Sequence, residues 1–424
     1  MQAKNVGKVS MWLLPIILVS YFVVGFPDGS FTISWFGIQE DLNLTIAHSG
    51  YILVGYSVTY TFAGVILSRL NRFMKLQTVY LWGLVVMGLG FITLALSPVI
   101  APGFIMALVA ISIYGFGTGL MAASMNAYMA KHFTARHNNW MHCFWGGGAA
   151  ISPLIMSRMM SISSWSAGYY VITIILGAVG IMLLISMFKK VWIEEDFDPN
   201  KAAQAETEKT VVKKKYLTKK WHQVVEIASF FFLGGTDYTL VFFTGTVLLY
   251  RGFSNVVILS TIYYLSMTAG RMFFGWMAKW LKEVPIIRIG AAISAVGIVV
   301  LYLSRSAYQQ IYDMGLSIYD LYGYNFTDQQ LRAIFGMTLT GFGLGPLLPT
   351  LVSDTSNRFK PGIIAKLVGY ELAAFGAGIA VLFFITSQVL EFITLEALFP
   401  IGLSFVLLVF ICNEILAYAV KHCE

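Results

Sequence analysis

GFGTG at Gly115–Gly119 and GFGLG at Gly341–Gly345 are two copies of one phrase, placed about half a chain apart. Each copy lies in an apolar stretch, and a phenylalanine follows each at the same spacing, as Phe133 and Phe359. A glycine-rich helix that recurs half a chain later indicates two related halves. In membrane proteins such halves are typical of transporters, whose solute site lies between them.

The composition around these phrases is that of a membrane protein. The chain of 424 residues is 58% hydrophobic and 12% charged, with a mean hydropathy of +0.74, whereas soluble domains carry about 25% charged residues. Apolar runs of about 20 residues, each long enough to cross a bilayer, recur throughout. They predict twelve spans, at 11–37, 48–68, 77–97, 103–130, 139–160, 167–188, 223–249, 256–278, 285–304, 332–353, 363–390 and 396–419.

One charged, apolar-poor segment divides the spans six and six. It covers residues 189–222 and follows the sixth span. We therefore predict an all-α membrane protein with two pseudo-symmetric six-helix bundles, the first at 1–188 and the second at 223–424, joined by this linker.

The distribution of cations predicts the orientation. With the N-terminus inside, the inner loops hold most of the lysines and arginines, and the outer side holds Arg158, Arg251, Arg305 and Arg332. The excess follows the positive-inside rule, so both termini are expected in the cytoplasm, in a plasma or inner membrane. The inner set is Lys4, Lys8, Arg69, Arg72, Lys75, Lys131, Arg136, nine lysines of the linker region, Lys279, Lys282, Arg288, Arg358, Lys360, Lys366 and Lys421. Topology thus accounts for the net charge of +7, and no nucleic-acid partner is expected.

Enzyme and cofactor motifs are missing from the sequence. Cys143, Cys412 and Cys423 are scattered, which favours neither a disulfide framework nor a metal site. No nucleophile elbow, P-loop, HExxH or haem motif is present, so we expect neither an enzyme nor a cofactor, and no ATP-driven transport.

The repeat extends beyond the glycine phrases. Gly25-x-x-Asp28 in the first span matches Gly234-x-x-Asp237 in the seventh. A charge near the bilayer centre costs at least about 2.5–3.5 kcal/mol of insertion free energy, so each aspartate is expected to have a specific functional or structural role. At about 1.5 Å per residue, Asp28 lies about 25 Å and Asp237 about 21 Å from the inner end of its span. Because burial disfavours an ionised carboxyl group, either could carry a proton. The alternatives are a helix cap or outer gate for Asp28 and a permanent ion pair for Asp237.

At this point the chain resembles the major facilitator superfamily. The run at 64–75, GVILSRLNRFMK, is similar to that family's loop between spans two and three, with Arg69 in the inner gate and Ser68 where an acid is usual. Two further runs resemble the fucose-permease-like sugar branch, MHCFWGGGAAISPLI at 141–155 and GFGLGPLLPTLVSD at 341–354. The chain departs from fucose permease at Ala122, in a glutamate position, and at Phe243, in a tryptophan position. The resemblance implies a secondary transporter.

Several further polar and aromatic side chains are candidates for the site. Asn126 can hydrogen-bond a hydroxyl or a neighbouring helix, and His142 can relay a proton or serve packing. Tyr114, Trp145 and Tyr238 can stack on a sugar or serve packing, whereas Trp35 is expected in the interfacial aromatic belt. We assign substrate binding to Asp28, Asn126, His142, Trp145 and Tyr238, and proton coupling to Asp28 and Asp237.

The gating candidates lie mainly in the second half. Arg271 and Glu371 are at equal depth, about 12 Å from the inner end at about 1.5 Å per residue, which makes them possible partners, either as a static ion pair or as a pair that exchanges partners when the cavity opens. Pro346 and Pro349 should break or bend the tenth span. With Arg69, these four residues form the predicted ion-pair and gating set.

The favoured function is alternating-access transport of a small polar solute, with a sugar preferred, by a monomer in lipid. Protons are the expected coupling ion, although Na⁺ also fits. An exporter of drugs or lipids is an alternative within the same fold. A non-transporting nutrient sensor that signals through residues 189–222 is an alternative of another class. The sequence does not distinguish import from export.

Overall fold

The computed structural model describes residues 12–100, 103–133, 135–193, 216–253, 256–304 and 328–422. Most of the predicted linker (194–215) and the loop 305–327 lie outside the described residues. Within the described ranges the chain forms fourteen α-helices and one short 3₁₀ turn, Leu395–Ala397. The helices are α1 Leu13–Val24, α2 Phe26–Asp41, α3 Ile46–Leu70, α4 Leu76–Ile100, α5 Phe104–His132, α6 Ala135–Ile162, α7 Trp165–Phe188, α8 Lys220–Tyr250, α9 Val256–Met277, α10 Glu283–Leu303, α11 Asp328–Leu344, α12 Leu347–Arg358, α13 Pro361–Phe392 and α14 Leu398–Lys421.

The twelve predicted spans are confirmed as twelve helical segments. The helix pairs α1/α2 and α11/α12 each form one interrupted span, so the first and tenth spans are each made of two helices. In the described part of the chain, eleven segments are long and apolar enough to cross a membrane. The remaining segment, α6, is long enough to cross a membrane but has a more polar composition, which includes His137, Asn138 and His142.

Proline produces the break in the tenth span, as predicted. α11 ends at Leu344, Pro346 precedes α12, and Pro349 lies in the first turn of α12. Proline has no backbone N–H, so the carbonyl four residues earlier loses its helical partner. For Pro349 that carbonyl belongs to Gly345, which is therefore left to find another donor. The first span is interrupted in the same way at Gly25, just before Pro27.

The two glycine phrases occupy equivalent places in the two halves. In α5 their glycines approach the backbones of α3 and α4, and in α11 those of α9 and α10. A Cβ added at these glycines would collide with neighbouring main-chain atoms, which confirms the prediction of close-packing surfaces. The contacts are Gly115 with Tyr56, Gly117 with Gly83 and Met87, and Gly119 with Tyr60 in the first half, and Gly341 with Tyr263, Gly343 with Gly290, and Gly345 with Met267 in the second.

The halves meet along two helix pairs, α3 with α13 and α6 with α9. We call the end at which α1 and α8 begin the linker end, and the opposite end the far end. At the far end the halves are in contact, since Glu391 accepts a hydrogen bond from the amide of Ile46 at 3.0 Å and Gly50 lies against Phe384 and Ser387.

Toward the linker end the same two faces separate. Gly64 lies four helical turns after Gly50 on one face of α3, and Gly369 lies five turns before Ser387 on α13. A Cβ at Gly64 or at Gly369 would meet no atom within 4 Å. In the described residues, the α3–α13 interface is therefore closed at the far end and open at the linker end.

Aromatic packing completes the far-end closure. Phe242 of α8 lies against Phe31 and Trp35 of α2, with ring centroids 5.5 and 5.8 Å apart, and against Phe383 of α13 at 5.1 Å. Trp35 is only 1% exposed. Its predicted place in the interfacial aromatic belt is therefore wrong, because the side chain packs between the bundles.

Candidate functional site

A cavity lies between the two halves, at the depth of the break in the first span. Its lining comes from both bundles and consists mostly of tyrosines and apolar side chains, with Asp28 as the one carboxylate among the described lining residues. The lining residues are Pro27, Asp28, Phe31, Thr32, Leu53, Tyr56, Ile111, Tyr114, Tyr238, Val241, Phe242 and Tyr264. The cavity has a volume of about 30 Å³, which is roughly the volume of one water molecule in the liquid. The cavity is therefore contracted in this conformation, and a solute of sugar size requires it to widen.

Asp28 faces this cavity from the first turn of α2. Its Oδ2 accepts a hydrogen bond from the indole Nε1–H of Trp145 at 3.1 Å. The contact depends on the glycines of both helices, since Gly25 lies against the backbone of Trp145 and Gly148 against that of Phe22. Because those helices touch backbone to backbone, the indole ring can reach the carboxylate. The structure thus brings together two residues that the sequence assigned to substrate binding.

Asp237 occupies the corresponding position of α8 but has a different partner. Its Oδ1 accepts a hydrogen bond of 2.5 Å from Tyr263, a fully buried residue of α9. Asp237 lies outside the cavity lining, whereas its neighbour Tyr238 belongs to it. The two repeat-related aspartates therefore have different surroundings, and only Asp28 is open to the cavity.

Asn126 and His142 meet each other on the N-terminal side of the site. Asn126 Oδ1 lies 3.2 Å from His142 Nε2, while its amide nitrogen donates to the carbonyl oxygen of Ala122 at 2.8 Å. Tyr21 contacts the imidazole edge-on at 5.7 Å. Neither residue lines the cavity in this conformation, so their contact is a helix-to-helix one between α5 and α6.

Arg271 binds the freed end of the tenth span. Its Nε donates at 3.2 Å to the carbonyl oxygen of Gly345, the acceptor that Pro349 leaves without a helical N–H. Its guanidinium carbon also lies 5.5 Å from the ring of Trp145 in the other half, which is cation–π geometry. Arg271 thus links the helix break to the residue that holds Asp28.

The predicted pair of Arg271 and Glu371 does not form, because each is engaged elsewhere. Glu371 is fully buried inside the C-terminal half, where Thr355 lies 3.0 Å from its Oε1. The reason is lateral position, since two residues at equal depth can still face different neighbours around a helix bundle. Arg69 is exposed in the last turn of α3, at the linker end.

A buried ionic cluster near Glu371 was missed by the sequence reasoning. Arg358, predicted as a loop cation, is only 2% exposed. It pairs with Glu226 of α8 at 3.0 Å and with Asp354 at 2.6 Å, and it donates to Asn413 of α14 at 2.6 Å. Glu226 inside a predicted span was the signal that could have indicated the cluster. The cavity tyrosines Tyr56 and Tyr264 were also missed, because tyrosines are common throughout the spans.

The site and the two bundles that enclose it define a class, the membrane transporters with a central cavity between related halves. The comparison of sequences gives the family, since the family model for the Major Facilitator Superfamily matches residues 17–334. The chain belongs to the Major Facilitator Superfamily. No curated protein matches it in sequence, and the resemblance to the fucose-permease-like branch remains a prediction.

Solved structures agree with this fold at low sequence identity. The nucleoside transporter NupG superposes with a TM-score of 0.71 at 12% identity, covering 95% of this chain and 99% of its own. The peptide transporter POT in complex with sulfate gives 0.71 at 13%, covering 97% and 94%. The POT-family transporter PepTSo gives 0.67 at 12%, covering 97% and 98%. These likenesses establish the fold alone.

Proposed function

We propose that the chain is a proton-coupled secondary transporter that moves a small hydroxylated solute, with a sugar as the favoured class. The observation that carries the proposal is the cavity between the halves, which combines four tyrosines with the one carboxylate of Asp28. Aromatic faces suit the apolar side of a sugar ring, and Asp28 and the phenol groups can hydrogen-bond its hydroxyls.

Proton coupling is proposed from the aspartate pair. Asp28 and Asp237 are each partly buried within a span and have no ion pair among the described residues, and burial disfavours an ionised carboxyl group. A proton on either one removes that cost. Protonation would thereby change the relative free energies of the conformations that open to each side. With the linker in the cytoplasm, as the cation distribution predicts, the present conformation is the inward-facing one.

The test is flux in proteoliposomes that contain the purified full-length protein. We expect uptake of a labelled sugar from a panel to be driven by an imposed pH gradient. The Asp237→Asn variant is expected to lose gradient-driven accumulation but to keep exchange of solute across the membrane. Full accumulation by this variant would contradict the coupling role of Asp237. Accumulation driven by a Na⁺ gradient alone would instead identify Na⁺ as the coupling ion.

Nucleosides are the second candidate solute class. The mainly aromatic lining favours a flat base as well as a sugar, and the structurally similar NupG is a nucleoside transporter. A panel with both sugars and nucleosides distinguishes these classes. Dye efflux without uptake of either would indicate an exporter, and specific binding without flux would indicate a sensor.

A further inference from the structure

We propose that Glu371 is a proton-binding site, separate from the solute cavity and buried at the linker end of the C-terminal half. Three carboxylates meet there, those of Glu226, Asp354 and Glu371, and each is at most 4% exposed. The guanidinium of Arg358 compensates two of them directly, through its contacts with Glu226 and Asp354. Glu371 receives no ion pair from the described residues.

The hydrogen bonds around Thr355 indicate where the proton lies. The hydroxyl has one hydrogen but three oxygens within reach, at 3.0 Å in Glu371, 3.1 Å in the carbonyl of Leu351 and 3.4 Å in Glu226. If Glu371 is protonated, it donates a hydrogen bond to Thr355. The Thr355 hydroxyl can then donate its own hydrogen bond to one of the other two oxygens. If Glu371 is ionised, these acceptors compete for a single hydrogen.

The second oxygen of Glu371 points to the same conclusion. Oε2 is buried and has no hydrogen-bond partner among the described residues. An ionised carboxylate with one shared hydrogen bond and no cation is far costlier to bury than a neutral carboxylic acid. A carboxylic acid needs only the single donated bond that the geometry provides.

The surroundings favour a proton over a metal ion. In the described part of the chain, no three His, Cys, Asp or Glu side chains are placed to hold a metal. On α13 and the helices packed against it, the charged and titratable groups toward the linker end are Lys220, His222 and Glu226 on α8, Asp354 and Arg358 on α12, Cys412, Glu414, Tyr418 and Lys421 on α14, Arg69 on α3, and Lys366 and Tyr370 on α13 itself. Glu414 is paired with Arg288 instead.

The protonation state of Glu371 affects how α12 packs against its neighbouring helices. Asp354, Thr355 and Arg358 all lie on α12, the segment that follows the break at Pro346. A neutral Glu371 leaves the cluster with a net charge of −1, and loss of its proton makes it −2. Because the added charge repels Glu226 and Asp354, proton release would loosen α12 from α8 and α13.

Infrared spectroscopy of the full-length protein in lipid nanodiscs tests the proposal without any transport assay. At neutral pH we expect a carbonyl stretching band of a protonated carboxyl group that the Glu371→Gln variant lacks. Glu414→Gln serves as the control, since Glu414 is ion-paired with Arg288 and its loss should leave this band unchanged. A Glu371→Gln spectrum that retains the whole carboxyl band would overturn the assignment.

A second variant keeps the test decisive if Glu371→Gln fails to fold. Thr355→Val removes the partner hydroxyl, so the band should persist but move to higher frequency. An unchanged frequency would contradict the hydrogen bond on which the proposal depends. Since the readout is spectroscopic, its failure would leave the proposed solute transport intact, and failed transport would leave this site intact.

Discussion

In the N-terminal half the helix with the glycine phrase continues without a break to His132, whereas in the C-terminal half it ends at Leu344, next to its last glycine. The glycines before this point make the same contacts with equivalent helices in both halves. These two helices differ beyond the phrase, where Pro346 and Pro349 of the C-terminal half free a carbonyl that Arg271 binds. A duplicated scaffold can therefore hold one rigid helix and one divided helix without a change in its packing surface.

The two aspartates of the repeat show the same divergence. Asp28 is held by Trp145 and lines the cavity, while Asp237 is held by Tyr263 and lies outside the lining. Equivalent positions in the two halves thus have different chemical surroundings. We interpret Asp28 as the residue that contacts solute and Asp237 as the residue that responds mainly to protons.

The largest expected effect tests the shared scaffold. Gly115→Leu and Gly341→Leu should each destabilise the folded protein by about 3 kcal/mol or more, because the side chain would enter the backbone of the neighbouring helix. Thermal unfolding in detergent, followed by size-exclusion chromatography, measures this loss. Gly64→Leu and Gly369→Leu are matched controls in open space, and they should unfold like the wild type. A large difference between the two test variants would break the equivalence of the halves.

The next effect separates the two aspartates. Asp28→Asn should weaken solute binding by about tenfold or more, since a hydrogen bond to a charged group contributes about 1.5–3 kcal/mol. Asp237→Asn should change affinity by less than about threefold, because the residue lies outside the cavity lining. Ligand binding by isothermal calorimetry measures both. Asp41→Asn is the control, since Asp41 accepts a hydrogen bond from Trp165 at the far end. Equal losses for Asp28 and Asp237 would contradict the division of roles.

The smallest effect concerns the donors to each aspartate. Trp145→Phe keeps a ring but removes the N–H to Asp28, so affinity should fall about fivefold, for a loss of about 1 kcal/mol. Tyr263→Phe removes the donor to Asp237 and should leave affinity unchanged while altering the pH dependence of uptake. Trp165→Phe provides the matched control. An affinity loss in Tyr263→Phe as large as that in Trp145→Phe would show that both aspartates face solute.

Much of the architecture follows from the sequence alone. The length of the apolar runs, the glycine phrases and the two prolines predicted twelve spans, two related halves and the break in the tenth span. These features are local, because bilayer thickness, missing side chains and a missing N–H act within one helix. The sequence assigned Asp28, Trp145 and Tyr238 to substrate binding; Asp28 and Tyr238 line the cavity and Trp145 donates a hydrogen bond to Asp28, while their role in binding stays a prediction.

The lateral placement of side chains was decided only by the tertiary structure. Sequence gives the depth of Arg271 and Glu371 but not which neighbouring helix each one faces, so their expected pair was wrong. It also could not place Arg358 in a buried cluster, because a charge near a span end is compatible with a loop as well as with an ion pair. Partners around a helix depend on how fourteen helices pack against one another, and that packing sums many weak contacts between residues far apart in the chain.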